Sequence, residues 1–386
     1  MKYAPLNELC TIQSGGTPSR SNTNYWNSPE IPWVKISDIK GKHITETEEY
    51  ISNEGLSNSS AKIFPSGTIL YTIFATLGEV GILDIDAATN QAIAGLTITS
   101  NKIKRDYLYY YLQSIKRQVT NMGRGVAQNN INIGILKQLE IPLYPPNIQS
   151  EIVCKLTYVE QLMSNRKQAL TTLDTLVKSR FIEMFGDFNI ESPFPMDKLD
   201  CIADLVSGIT KGRKTKETDL REVPYMAVSN VKDGYIDWTT IKTIMATEKE
   251  IEQYRIQPND ILMTEGGDPD KVGRGALINE VPEDCIHQNH IFRVRLDEKV
   301  SPIYFEAYLQ QPFTKRYFIK SAKQTTGIAS INMTQLRNTP VIVPPIELQN
   351  QFADFAQIAD KSKFAVQQSI DTLQTLKNKL MQDYFG

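Results

Sequence analysis

Four cations, Lys211, Arg213, Lys214 and Lys216, stand within six residues in the run SGITKGRKTK at 207–216. Closely spaced ammonium and guanidinium groups form a patch that neutralises phosphates and releases their counterions. A merely solvated loop is the alternative, because charge runs commonly lie on a surface. An earlier run, SGGTPSR at 14–20, offers Thr17 and Arg20, with Lys35 downstream. Two glycine-rich runs follow the same logic: TIFATLGEVG at 72–81 carries Thr76, and TEGGDPDKVGRG at 264–275 carries Lys271 and Arg274. Glycine there lets backbone approach a ligand closely and equally serves an ordinary hairpin. GRGVAQNNIN at 123–132 presents Arg124 and Gln128, and AKQTTGIASIN at 322–332 presents Lys323 and Gln324. Arginine suits guanine edges, and glutamine or asparagine suits adenine. Asn132 and Asn332 fit better as helix caps. A last pair of loops holds Gln91, Gln288 and His290. Together these groups suit hydrogen bonding to phosphates and base edges.

Catalytic or metal chemistry finds less support. Cys285, His287 and His290 supply three ligands within six residues, yet their spacing fits no zinc pattern and the first half of the chain has nothing comparable. We therefore expect no metal site. There is no GxxxxGK[ST], HExxH or GxSxG, and no kinase set. The glycines of GDPDKVGRG lack the strand–GxGxxG–helix order of a dinucleotide fold. Asn147 and Ile346 follow the Pro-Pro pairs, so the residues that flank Pro-Pro in an adenine methyltransferase are missing. No carboxylate–lysine cluster suggests a nuclease. The expectation is a chain that binds and does not catalyse.

The elements that position these loops come in duplicate. TTLDTL at 171–176, ending in Phe185-Gly186, returns as DTLQTL at 371–376, ending in Phe385-Gly386, a shift that marks a duplicated domain. Ile31-Pro32-Trp33 with Ser37-Asp38-Ile39 matches Val223-Pro224-Tyr225 with Ser229-Asn230-Val231. Gly67-Thr68-Ile69-Leu70 matches Asn259-Asp260-Ile261-Leu262, and Val80-Gly81 is paired with Val272-Gly273. Asn90-Gln91 has its counterpart in Gln288-Asn289, and Ile131-Asn132 with Leu136 in Ile331-Asn332 with Leu336. The chain thus reads as a globular domain at 1–145, a helix at 146–186, a second domain at 187–345 and a second helix at 346–386. Strand-like runs at 68–74, 94–99, 224–228 and 291–296 mix with helical runs at 106–118 and 302–319, which predicts an α+β fold with a pseudo-twofold repeat.

After each Pro-Pro pair an apolar stripe recurs in steps of three and four. Leu156, Met163, Leu170 and Leu173, with Phe181 and Phe185, form the first; Phe355, Val366, Leu373, Leu376 and Leu380, with Phe385, form the second. Such stripes serve packing of each helix on its own domain or of the two helices on each other. Matching length, place and Pro-Pro start favour mutual, antiparallel pairing as a coiled-coil spacer. A helix of roughly 36 residues rises about 54 Å, longer than one duplex turn of about 34–36 Å.

The 386 residues suffice for two domains with their own cores, and 41% hydrophobic content is globular. A formal net charge of −2 excludes a uniformly basic protein, so any phosphate contact must come from local loops. The opening MKYAPLNELC lacks an apolar signal core, no run approaches a membrane span, and Cys10, Cys154, Cys201 and Cys285 show no CxxC spacing. We expect a soluble cytoplasmic protein with reduced thiols.

The opening SGGTPSRSNTNYWNSPEIPWVKISDI at 14–39, the tandem halves and the FGD that closes the first long helix resemble the DNA specificity subunits of Type I restriction-modification systems across the whole chain. The resemblance implies two target recognition domains, each reading half of a split DNA sequence, and helices that form an antiparallel spacer. It further implies a subunit without activity of its own, which recruits two modification subunits; these bind S-adenosylmethionine and methylate adenine, and restriction subunits join them for cleavage. The helices would dock the modification subunits. The second domain departs from the signature, with Ser207-Gly208-Ile209-Thr210 in place of GGTP.

Overall fold

A computed structural model describes residues 2–26, 28–123, 131–187, 192–213, 219–268, 271–325 and 328–386. The chain divides into two compact units, Met1–Lys167 with Gln368–Gly386 and Gln168–Gln367. Both mix helix and sheet.

In unit 1 a five-stranded sheet runs in the order Cys10–Ser14, Ile93–Ile98, Ile69–Thr72, Val80–Leu83, His43–Ile44. Ile69, Leu70 and Tyr71 are wholly buried, so this central strand reads as a continuous apolar run and not as an alternation. A second, four-stranded sheet holds Ile31–Val34 between Glu49–Ile51 and Ala87–Thr89. The helix Arg105–Ser114 buries Tyr107, Leu108, Tyr110 and Tyr111. Its Tyr107 and Tyr111 hydroxyls each donate over 2.8 Å, to the carbonyls of Pro142 and Glu140. Those carbonyls belong to the strand Glu140–Leu143, which pairs with Lys2–Pro5 and leads into the long helix.

Unit 2 repeats the plan. Ala203–Ser207, Ile291–Leu296, Ile261–Thr264 and Gly275–Leu277 make the main sheet. Tyr304 and Tyr308 donate over 2.8 Å to the carbonyls of Ile342 and Pro340, the same tie as in unit 1. Each helical run expected as one piece is two, Arg105–Ser114 then Lys116–Gly123, and Pro302–Leu309 then Pro312–Ser321. In the second case Pro312 forces the break, since it lacks an amide hydrogen and restricts the residue before it.

The strand registers correct one repeat pairing. Leu70 faces Gly81 and Tyr71 faces Val80, whereas Leu262 faces Ala276 and Met263 faces Gly275. Val80-Gly81 therefore corresponds to Gly275-Ala276, not to Val272-Gly273. Gly78 and Gly273 share the position, both in the left-handed region at φ 79° and 71°. Gly67 and Asn259 are also equivalent, at φ 88° and 72°, and only residues tolerant of that conformation fit there.

The long helices are Pro146–Phe185 and Ile346–Phe385, 40 residues each. A buried glutamine seats the start of each. Gln149 accepts the N–H of Lys104 and donates to the carbonyls of Lys102 and Tyr144, all at 2.8 Å. Gln349 accepts the N–H of Ser301 at 2.8 Å and donates to Lys299 and Pro344 at 3.0 and 2.7 Å. Within unit 1, Lys155 meets the Tyr384 hydroxyl at 3.3 Å and Glu160 meets Lys377 at 2.7 Å, so the two helix segments run antiparallel. Within unit 2, Asp174 pairs with Lys363 at 2.7 Å while Phe181 packs on Phe352 with ring centres 5.3 Å apart, the same sense.

Among the described residues, no helix is long and apolar enough to cross a membrane.

Candidate nucleic-acid interface

In unit 1 four backbone hydrogen bonds sew four separate loops into one face. Gly15 N donates to Ile93 O at 3.0 Å and Gly16 N to Thr89 O at 2.9 Å. Ile73 N donates to Ala92 O at 2.8 Å, and Ile131 N to Ile73 O at 3.0 Å. Unit 2 builds a matching seam, with three of its four bonds between equivalent residues. Ile209 N donates to His287 O at 2.8 Å, Asn289 N to Ile209 O at 3.0 Å, Glu265 N to His290 O at 3.0 Å, and Ile331 N to Glu265 O at 2.8 Å. The approach is too close for a side chain: a Cβ on Gly15 would lie 2.3 Å from Thr89 O, and one on Gly208 2.0 Å from His287 O. That contact accounts for the glycine shared by the two signatures.

On the unit 1 face the Thr17 hydroxyl bonds the Gln91 side chain. The Arg20 guanidinium lies 3.6 Å over the Trp26 ring and reaches Glu49 at 2.6 Å. Lys35 sits between Glu48 at 2.9 Å and Glu49 at 3.1 Å, and these carboxylates raise the affinity of its amine for the proton. Partial burial pushes the Glu49 carboxyl up, but hydrogen bonds from Arg20 and Lys35 hold it below the usual range. Trp33 donates to the Gly16 carbonyl at 3.0 Å, which anchors the loop from beneath. Thr76 and Gln91 are exposed. Arg124 and Gln128 lie outside the described residues.

On the unit 2 face Arg213 is committed to Glu250, with Nε 2.5 Å from the carboxylate and Nη2 3.1 Å from the Met245 carbonyl. Arg213 holds the Glu250 carboxyl low, and Glu250 also accepts the Thr247 N–H as part of the capping box of helix Glu248–Tyr254. Lys271 pairs with Asp268, and His290 Nδ1 lies 2.6 Å from Glu265. The Gln288 side chain accepts the Val228 N–H at 3.3 Å. Arg274 is half-buried, and its backbone carbonyl accepts the N–H of Thr264 at 3.1 Å. Lys211 and Lys323 are exposed and without an ion pair among the described residues. Lys323 begins the strand Lys323–Thr325, part of a three-stranded ribbon with Ile328–Ser330 and Gly266–Gly267. Lys214, Lys216 and the side chain of Gln324 lie outside the described residues.

The carboxylates were not singled out in the sequence, and they explain the near-neutral charge. Arg20, Lys35, Arg213, Lys271 and His290 each stand against Glu or Asp. Exposed pairs of this kind contribute little to stability, so those with exposed partners can exchange a carboxylate for a phosphate. Asn132 and Asn332 are helix caps, accepting from Ile135 N at 2.8 Å and Gln335 N at 2.9 Å. His287 is fully buried; burial, then Arg293, pushes its pKa down to about 3. Burial pushes the Cys285 thiol up to about 12. Among the described residues no three His, Cys, Asp or Glu side chains are grouped to hold a metal ion.

The helix residues separate by exposure. Leu156, Phe181 and Phe185 are core, the last two against Tyr304 and Phe352, so they have no surface to offer a partner. Leu380 and Phe385 pack on the unit 1 core, Phe385 with its ring centre 5.4 Å from that of Tyr107. Met163, Leu170, Leu173, Phe355, Val366 and Leu373 are half-buried, and Leu376 is exposed.

The sequence model of the family described as the Type I restriction modification DNA specificity domain matches residues 1–172 and 199–379. The MjaIX specificity subunit of Methanocaldococcus jannaschii is 22% identical over 400 residues, covering 97% of this chain and 90% of its own length. A chain solved in a study of complex assembly and conformational transition of the type I R-M system superposes with a TM-score of 0.65 at 17% identity, covering 100% and 97% of the two chains. The S subunit of M. genitalium gives 0.56 at 15% identity, covering 100% and 96%. At such identities the structural likeness establishes the fold, and the family match carries the assignment. With two repeated recognition units and a family match over most of its length, this chain belongs to the DNA specificity subunits of Type I restriction-modification systems, the non-catalytic components that recognise DNA sequence.

Proposed function

We propose that each four-loop face reads one half of a bipartite DNA target, and that the two long helices run antiparallel as a spacer that fixes the gap between halves. The observation that carries this reading is the repetition of the loop seam in both units, with three of its four bonds made between equivalent residues. One face that recognises a few base pairs discriminates poorly, because each position contributes only about 1–3 kcal/mol. Two tethered faces multiply their selectivity when the tether holds both in register. The antiparallel contacts inside each unit support a continuous spacer; 40 residues rise about 60 Å.

The chain brings no catalytic group or cofactor of its own to this scheme. Two modification subunits, each carrying S-adenosylmethionine, dock along the helices through the half-buried and exposed members of the stripes, from Met163 to Leu376, and methylate adenine. Restriction subunits join them for cleavage. The complex works in the cytoplasm, where the DNA lies. Because most of the described cations already have acidic partners, the isolated chain binds DNA weakly and the complex binds strongly. Methylation-aware sequencing of cells that carry the wild type or a Thr76→Ala/Gln91→Ala variant tests the scheme. One half of the methylated motif should relax while the other half and the gap stay fixed. A motif unchanged in both halves would refute the assignment of the face.

A further inference from the structure

The unit 1 face carries an exposed phenyl ring among hydrogen bonders. Phe74 is 38% exposed and directly follows Ile73, whose N–H and C=O are taken by Ala92 and Ile131. It therefore leaves the sheet where three of the four loops meet. The loop that presents it is closed by a single buried residue, Thr72. Thr72 N donates to Glu79 O at 3.0 Å, its carbonyl accepts Gly78 N at 3.0 Å, its hydroxyl accepts Glu79 N at 2.8 Å, and the same hydroxyl donates to the Thr76 carbonyl.

Next to Phe74, Ala75 sits at φ 60°, a left-handed conformation that a residue with a Cβ rarely adopts. Strain of this kind persists only where the surroundings over-determine it, and it concentrates at ligand-contacting sites. The repeat shows that the feature is not required by the fold. The position equivalent to Phe74 in unit 2 is Gly266, where a Cβ would lie 2.8 Å from the Ala329 carbonyl, and the hydroxyl of the equivalent Thr264 has no partner among the described residues. Among the described residues, a rigid tip that holds out an aromatic ring is thus found at this position in unit 1 and not in unit 2.

A phenyl ring has no donor for phosphate or base edges, but it matches the flat faces of stacked bases. We infer that Phe74 is an intercalating wedge: it enters one base step of the half-site read by unit 1 and unstacks it. Aromatic and aliphatic wedges kink a duplex in this way, most cheaply at pyrimidine–purine steps. The inference rests on the four-loop face being the DNA contact, and the test separates the two.

The chain, purified with its partner subunits, is bound to a duplex bearing its own methylation motif. 2-Aminopurine or pyrrolocytosine is placed at each position of the half-site in turn. A several-fold fluorescence rise is expected at one step with the wild type and with Phe74→Trp, and no rise with Phe74→Ala. Specific affinity should fall about ten-fold or more in Phe74→Ala, with non-specific affinity and thermal unfolding unchanged. If no step of that half-site responds in the wild type, or the rise survives in Phe74→Ala, the wedge is refuted. A Thr76→Ala/Gln91→Ala complex whose sequence preference is unchanged refutes the face itself. A relaxed preference alongside an unresponsive step refutes the wedge alone.

Discussion

Replacing Gln349 with leucine removes a side chain that is 0% exposed and serves three backbone groups, Ser301 N–H, Lys299 C=O and Pro344 C=O. Leucine fills a similar volume but answers none of them. Each lost hydrogen bond costs about 1 kcal/mol net, and each group left dry and unpaired costs about 1–3 kcal/mol. With water reaching some of them, the expected loss is about 3–5 kcal/mol in unit 2. Urea unfolding of the full chain measures the sum, and hydrogen exchange locates it: the Ser301 amide should lose most of its protection. Gln149→Leu should produce a matching loss in unit 1, where Lys104 N–H, Lys102 C=O and Tyr144 C=O are the orphaned groups. The two changes share no partner and should add. A loss below about 1 kcal/mol in both variants, with Ser301 still protected, would refute the idea that these amides seat the helices.

Glu306 accepts the Leu277 N–H at 2.8 Å in an apolar setting, and burial, with Asp360 adding to it, pushes its carboxyl from 4.5 to about 7. The folded state therefore holds this proton more tightly than the unfolded state, so its contribution is full below about pH 4.5 and is lost as pH rises through about 7. Glu306→Gln should flatten that fall and stabilise unit 2 at pH 8 by up to about 3 kcal/mol; an unchanged pH profile of urea unfolding would contradict it. Arg213→Ala should cost unit 2 about 1 kcal/mol while leaving the salt slope of DNA binding unchanged, because its guanidinium is engaged by Glu250; a slope smaller by about one would identify it as a phosphate contact. Inserting one turn, about 5.4 Å, in both long helices should lengthen the gap between recognised half-sites by one or two base pairs, read by methylation-aware sequencing, and an unchanged gap would count against a spacer.

The repeat was legible because it is carried by residues with a single physical solution. Asn132 and Asn332 cap, Gly15 and Gly208 admit a carbonyl, and the Pro-Pro pairs begin helices. The identity of the four loops was legible for the same reason. Gly273 was aligned with Gly81 and not with Gly78 because glycine spacing alone does not set strand register; pairing with the neighbouring strand does. The acidic partners Glu48, Glu49, Glu250 and Glu265 went unread because they are distant in sequence from the cations they hold. Gln149 and Gln349 left a trace, each four residues after an equivalent proline, yet a glutamine on a helix reads as surface until its neighbours are known. Phe181 and Phe185 followed the apolar stripe, and nothing in the period separates a residue that meets its own core from one that meets another subunit.

Unit 1 contains Gln368–Gly386, and Leu380, Met381, Tyr384 and Phe385 pack on its core. During synthesis those side chains leave the ribosome after every residue of unit 2 has been joined. Of the two lobes, the first-made must therefore wait, with Tyr107 and Tyr111 lacking the Phe385 ring that covers them, until Phe385 has been joined. Unit 2, built from the contiguous stretch Gln168–Gln367, can close earlier. Birth order and maturation order are reversed in these two lobes, and a stop before Gln368 would injure the one that is made first.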